Sequence, residues 1–151
     1  MKQFTYKFFC LLSFLLIGGG NLTAQTLTQV TSLDEINETD SYVLQHNGTY
    51  GYTGTTYFYA SSADATLIAC STSIDTSNKG FFFKFEVNSD GTYQIKNELT
   101  TNPYLRQTNF VSTPTNDWAI VYNSSSQSFC VAWRYVGSTS TSYQALYGYS
   151  A

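Results

Sequence analysis

Residues 83 to 97 constrain the fold more than any other stretch. Phe83, Phe85 and Val87 alternate with Lys84 and Glu86, the two-residue period of a strand with one dry and one wet face. Asp90-Gly91 then marks a turn, and Tyr93-Gln94-Ile95-Lys96 resumes the alternation. A helix cannot hold that period, so the stretch reads as a hairpin. The arrangement returns farther on, where Trp118-Ala119-Ile120-Val121-Tyr122 passes through a Ser-rich turn into Phe129-Cys130-Val131-Ala132-Trp133. Phe83 and Trp118 stand 35 residues apart, and Tyr42-Val43-Leu44 reads as a third copy of the second strand. Each copy leads to an aromatic hairpin: Tyr50-Gly51-Tyr52, Tyr104-Leu105, and Tyr147-Gly148-Tyr149. Phe83, Phe85, Tyr93, Ile95, Trp118, Ile120, Phe129 and Val131 hold the apolar phase and are expected to face inward.

The remaining signals agree with an all-β chain. Asn47-Gly48, between Tyr42–His46 and Thr49–Thr53, predicts a type I′ hairpin turn. Thr26 to Thr31 alternates like a further strand. Ser32-Leu33-Asp34-Glu35 has the spacing of a capping box and supports one helical turn. At 151 residues there is room for one domain, placed at residues 25–151. With 17% aromatic and 11% charged residues, neither a charge-driven disordered chain nor a salt-bridged coiled coil fits. A net charge of −3 argues against nucleic acid as a partner. Asp34, Glu35, Glu38 and Asp40 read as a solvated face, too loosely spaced for calcium.

The first 24 residues have the order of a secretory signal peptide. Lys2 and Lys7 precede the apolar run Phe8–Ile17, and Leu22-Thr23-Ala24 offers a small residue before Gln25. That run is too short to cross about 30 Å of hydrocarbon as a helix. The expectation is a bacterial chain that is secreted, periplasmic or on the cell surface, with no membrane span after cleavage. Cys70 and Cys130 remain in the mature chain. Export permits a disulfide between them, while the apolar runs around both suit buried thiols equally well. Neither a Cys-x-x-Cys pair nor a Cys/His cluster is present, so no metal and no cofactor is expected.

The stretch Phe83-Lys84-Phe85-Glu86, Asp90-Gly91-Thr92-Tyr93-Gln94-Ile95-Lys96-Asn97 and Pro103-Tyr104-Leu105 resembles the repeat of the ricin-type β-trefoil lectin-like family. Asn116-Asp117-Trp118 is similar to that family's Gln-x-Trp signature with Asn substituted, and Phe81-Phe82-Phe83 stands in its place one repeat earlier. The resemblance implies a threefold β-trefoil-like barrel, with a β-sandwich as the alternative. By the same register the third repeat stops at Tyr149-Ser150-Ala151, before its last two strands. An incomplete barrel of this kind would leave open strand edges and favour self-association.

Candidate chemistry divides sharply. His46 is the only histidine, so any Ser-His or Cys-His pair depends on one ring beside a turn, and no nucleophile elbow or phosphate loop accompanies it. The chain is therefore expected not to be an enzyme. Carbohydrate binding needs aromatic faces for the sugar's C–H patch and amides for its hydroxyls. Asn97, Asn102, Tyr104, Gln107 and Asn109 supply these in the middle repeat, and Trp133, Tyr135, Tyr143 and Gln144 in the third. Glu98 is the nearest match to the acidic pocket residue of the lectins. The leading expectation is a secreted, non-catalytic, lectin-like module with glycans as partners. A surface structural or protein-interaction domain of a longer protein is the alternative. A protease inhibitor presenting the loop Ser71–Asn78 is a third option.

Overall fold

The structure, a computed structural model, describes residues 27–47, 54–114, 117–123, 128–136 and 141–145. The signal region and the aromatic pairs at Tyr50–Tyr52 and Tyr147–Tyr149 lie outside these residues. Within them, β1 (Gln45–Asn47), β2 (Thr55–Tyr59) and β3 (Ala69–Ser71) form an antiparallel three-stranded sheet. A second antiparallel sheet holds β4 (Phe83–Val87), β5 (Tyr93–Asn97), β6 (Tyr104–Arg106), β7 (Asn109–Val111), β8 (Asp117–Asn123), β9 (Ser128–Val136) and β10 (Thr141–Ala145). Its path runs β10-β9-β8-β5-β6-β7, and β4 pairs with β5. The chain is all-β. Among the described residues neither sheet closes on itself as a barrel, and the two share one core in a sandwich-like arrangement.

Two isolated bridges stitch the sheets together. Tyr42 and Phe83 exchange both backbone hydrogen bonds at 2.8 Å. Leu67 faces Asn109, flanked by bonds from Ile68 N–H to the Thr108 carbonyl (2.8 Å) and from Phe110 N–H to the Thr66 carbonyl (2.9 Å). The first bridge has an echo: Tyr93 pairs with Trp118 just as Tyr42 pairs with Phe83. The two residues matched by the sequence repeat thus meet their partners in matching ways.

Strand alternation decides what is buried. Phe83, Phe85, Ile95, Trp118, Ile120, Phe129 and Val131 all lie in the core, and Tyr93 is half-buried. Val87 departs from the expectation and is exposed, because the inward phase runs out where β4 enters its turn. That turn is as predicted. Gly91 takes φ +81°, its N–H reaches the Asn88 carbonyl (3.0 Å), and Asp90 Oδ1 accepts from Thr92 N–H (3.1 Å) and Oγ1 (2.6 Å).

Other local expectations need correction. Asn47 pairs with Thr55 inside the ladder, which is not the register of a two-residue Asn-Gly turn, and the expected strand Thr49–Thr53 lies outside the described residues. Residues 27–31 form no strand. Val30 drops singly into the main core, while Leu27 packs on a second cluster of Val43, Phe81 and Phe82, a spacing of three that no strand face permits. The helical turn exists as Leu33–Glu35, but Glu35 Oε1 reaches back to Thr31 N–H (3.3 Å) and Thr31 Oγ1 (2.6 Å), one residue earlier than a capping box requires.

The sheet forks at β5. A strand has two edges, and β4 takes one of them along its whole length. The other is shared: β8 pairs at Tyr93 and β6 at Lys96, so the two strands diverge from one edge. Trp118 fills the wedge. Its ring is fully buried, and its indole Nε1–H donates to the Leu105 carbonyl of β6 at 2.9 Å. Trp118→Ala is expected to destabilise the fold by about 3–5 kcal/mol through the cavity it opens. Trp118→Phe should still cost about 1–3 kcal/mol, because the Leu105 carbonyl is left without its buried donor. Denaturant midpoints check both.

Candidate functional site

The β6–β7 hairpin carries most of the middle-repeat candidates. Its strands pair as Tyr104↔Val111, Leu105↔Phe110 and Arg106↔Asn109, with Gln107 turning the chain at φ +51°. Leu105 and Phe110 are buried in the core, so Tyr104, Arg106, Asn109 and Val111 share the outward face. Leu67, 57% exposed, lies across from Asn109 and extends that face. On the other side Lys96 stands opposite Tyr104, its ammonium 4.8 Å from the ring centre. Lys96 also pairs with the Glu86 carboxylate. That carboxylate, with a smaller contribution from Tyr104, raises the lysine's pKa above its ordinary value. Thr108 Oγ1 donates to Asn109 Oδ1 at 3.1 Å. The result is an outward surface with an aromatic ring, an amide, a guanidinium and an exposed leucine.

Asn102 and Gln107 are half-buried beside this face. Thr100 Oγ1 donates to the Asn102 carbonyl at 2.8 Å and steadies the lead-in to β6. Asn97 requires correction as a ligand residue. It is 3% exposed, and its amide is wholly engaged with the backbone. Nδ2 donates to the carbonyls of Gly80 (2.8 Å) and Phe82 (3.2 Å), while Oδ1 accepts from Leu99 N–H (3.0 Å) and Thr100 N–H (3.3 Å). It fixes the segment that delivers the hairpin. Gly80 must be glycine for this to work, since a Cβ there would lie 2.1 Å from the Ala60 carbonyl oxygen.

The third-repeat candidates are placed differently. Trp133 is 7% exposed and faces Trp118 across the β8–β9 ladder, so it belongs to the core and not to a sugar platform. Gln144 lies opposite Trp133 and Ser142 opposite Tyr135 in the ladder. The side chains of Tyr135, Tyr143 and Gln144 fall outside the described residues. Cys70 and Cys130 form no disulfide; Cys130 is exposed because it occupies the outward phase between Phe129 and Val131. Glu98 is exposed and accepts a hydrogen bond from Ser41 Oγ. The loop Ser71–Asn78 is braced from within, with Asp75 Oδ1 accepting from Ser77 N–H (2.9 Å) and Oγ (2.6 Å).

Lys96, Arg106 and Leu67 escaped sequence reasoning. Lys96 and Arg106 stand in the outward phase of their strands and Leu67 forms an isolated bridge, yet their common face emerges only once the pairings between these segments are known. Elsewhere, Asp90 binds Arg134 at 2.6 Å and ties the β4–β5 turn to β9. Its carboxyl is held down to about 2, first by the Thr92 hydroxyl and then by backbone and guanidinium. His46 is buried in β1 against the Phe58 ring, and burial lowers its pKa below the ordinary 6.5. Among the described residues no cluster of His, Cys, Asp or Glu is arranged to hold a metal ion.

Two outcomes follow from this chemistry. Asn97→Asp retains the acceptor but sets a carboxylate against two carbonyl oxygens, so it should unfold more easily than wild type at pH 7 and recover as acid protonates it. A pH series of thermal midpoints reads this directly. For His46 the unfolded chain takes up a proton first, so stability should decline as pH falls below about 6.5. His46→Gln should flatten that part of the pH–stability curve. No protein family, curated protein or solved structure matches the chain.

Proposed function

We propose that this chain is an exported, non-catalytic carbohydrate-binding module of trefoil-like repeat design, with the outward face of the β6–β7 hairpin as its ligand site. The observation that carries the reading is the gathering of Asn102, Tyr104, Gln107 and Asn109 onto one hairpin and its lead-in. Tyr104 offers a half-buried ring whose orientation is fixed by Lys96 below it. A sugar's C–H face can rest on such a ring while Asn109 reads hydroxyls beside it. The recurrence of Tyr42↔Phe83 as Tyr93↔Trp118 supports the repeat design. Burial of the single histidine in β1 supports a non-catalytic role. The charged, apolar and small-residue zones of residues 1–24 support export to the periplasm, cell surface or medium.

A second reading, a surface interaction domain that self-associates, has its own observation. On the outward face of β8–β9, Val121 is 61% exposed directly opposite exposed Cys130. Glycan-array binding separates the two. The carbohydrate reading expects retention of at least one glycan class, weakened about tenfold by Tyr104→Ala or Asn109→Ala, with circular dichroism confirming that the variants fold. An array with no signal above background, or variants that bind as wild type, would overturn it. Sedimentation as a dimer lost in Val121→Lys would favour the second reading.

A further inference from the structure

We infer that the β6–β7 face takes an acidic glycan, with Arg106 as the anchor for a sugar carboxylate; this rests on the carbohydrate reading above and adds the charge of the ligand. The chain carries ten acidic and seven basic residues, so the charge of any one face depends on where the acids fall. Between Glu98 and Asp117 the sequence contains no Asp or Glu, and Arg106 lies within that interval. Between Asp64 and Asp75, the interval that brings Leu67 alongside Asn109, there is again none. The two segments stitched together at this face therefore bring no carboxylate of their own.

Asp64, Glu98, Glu86 and Glu38 are already engaged. Asp64 accepts from Ser62 Oγ at 2.6 Å and Glu98 from Ser41 Oγ. Glu86, on the same outward face, is paired with Lys96. Glu38 accepts the Val87 N–H (3.0 Å) at the far edge of β4. Lys84, Lys96 and Arg106 all occupy outward positions, since the register runs Lys84↔Lys96↔Tyr104 and Arg106 lies two residues beyond Tyr104. Arg106 itself is exposed and forms no ion pair or hydrogen bond with the described residues.

Geometry fits one charged sugar ring. Residues two apart on a strand are separated by about 6–7 Å, close to the width of a pyranose with its ring substituent. A uronate resting on Tyr104 would bring its carboxylate to the guanidinium, whose planar fork matches both oxygens. Asn109, across the ladder from Arg106, supplies an amide for a neighbouring hydroxyl. A neutral sugar would leave the guanidinium unanswered.

The test is affinity electrophoresis of the mature chain through gels containing polygalacturonate, its fully methyl-esterified form, or dextran sulfate. The expected result is retardation by polygalacturonate, with binding of the ester about tenfold weaker. Arg106→Gln should bring the acid form down to about the wild-type affinity for the ester, and Arg106→Lys should restore only part of the loss. Equal affinity for acid and ester would leave the carbohydrate reading standing and overturn the charge inference. Retention by neither would overturn the charge inference, while the glycan array decides the carbohydrate reading. Binding of dextran sulfate as tight as polygalacturonate, and indifferent to Tyr104→Ala, would mean bare polyanion attraction and overturn the inference as well.

Discussion

The indole of Trp118 makes the rest of the architecture possible. One edge of β5 has to serve both β8 and β6, and diverging strands leave backbone groups and apolar surface uncovered between them. A single side chain supplies both the volume and the hydrogen-bond donor that this wedge requires. Smaller apolar residues would fill part of the space but leave the Leu105 carbonyl dry and unpaired. Everything beyond the fork inherits its position from that contact. The β8–β9 ladder continues from Trp118 on one branch, and the candidate binding hairpin hangs from the other.

Asn97 performs the complementary task on the opposite side of β5. Two segments meet there, one presenting carbonyls at Gly80 and Phe82 and the other amides at Leu99 and Thr100, and an amide side chain offers the donors and acceptor that both need. This explains why an asparagine can be buried deep in an aromatic core. Its polar capacity is directed to backbone that has left the ladder. The segment it holds, together with the Asn97 N–H bond to the Pro103 carbonyl (2.8 Å), sets the angle at which Tyr104 enters β6.

Much of this was legible before any coordinates. Strict alternation at Phe83–Phe85 and Trp118–Ile120 fixed both strand identity and inward face, because a two-residue period has a single structural reading. The site was legible only in part. Asn102, Tyr104, Gln107 and Asn109 share a short segment, so proximity in sequence guaranteed proximity in space. Trp133 and Asn97 misled for one reason: residue type suggests ligand chemistry, but phase along the strand decides exposure, and both lie inward. Arg106, Lys96 and Leu67 become neighbours through pairings between segments far apart in sequence, and no local pattern encodes those. The Asn47-Gly48 signal failed because the ladder extends through Asn47 itself, and cross-strand pairing overrode turn preference.

The single rung that joins β6 to β5 has an evolutionary consequence. Lys96↔Tyr104 is the one ladder pair there, and the hairpin's remaining attachments are the Trp118 bond, the Leu67 bridge and two inward side chains, Leu105 and Phe110. Apart from the Lys96 ammonium over the Tyr104 ring, these attachments run through backbone groups and inward side chains, and none of them uses the side chains at outward positions 106 and 109. Those positions can therefore diversify without disturbing the fork that supports them. Related chains could share this scaffold while reading quite different surfaces, with sequence drift concentrated on one hairpin and the wedge behind it held constant.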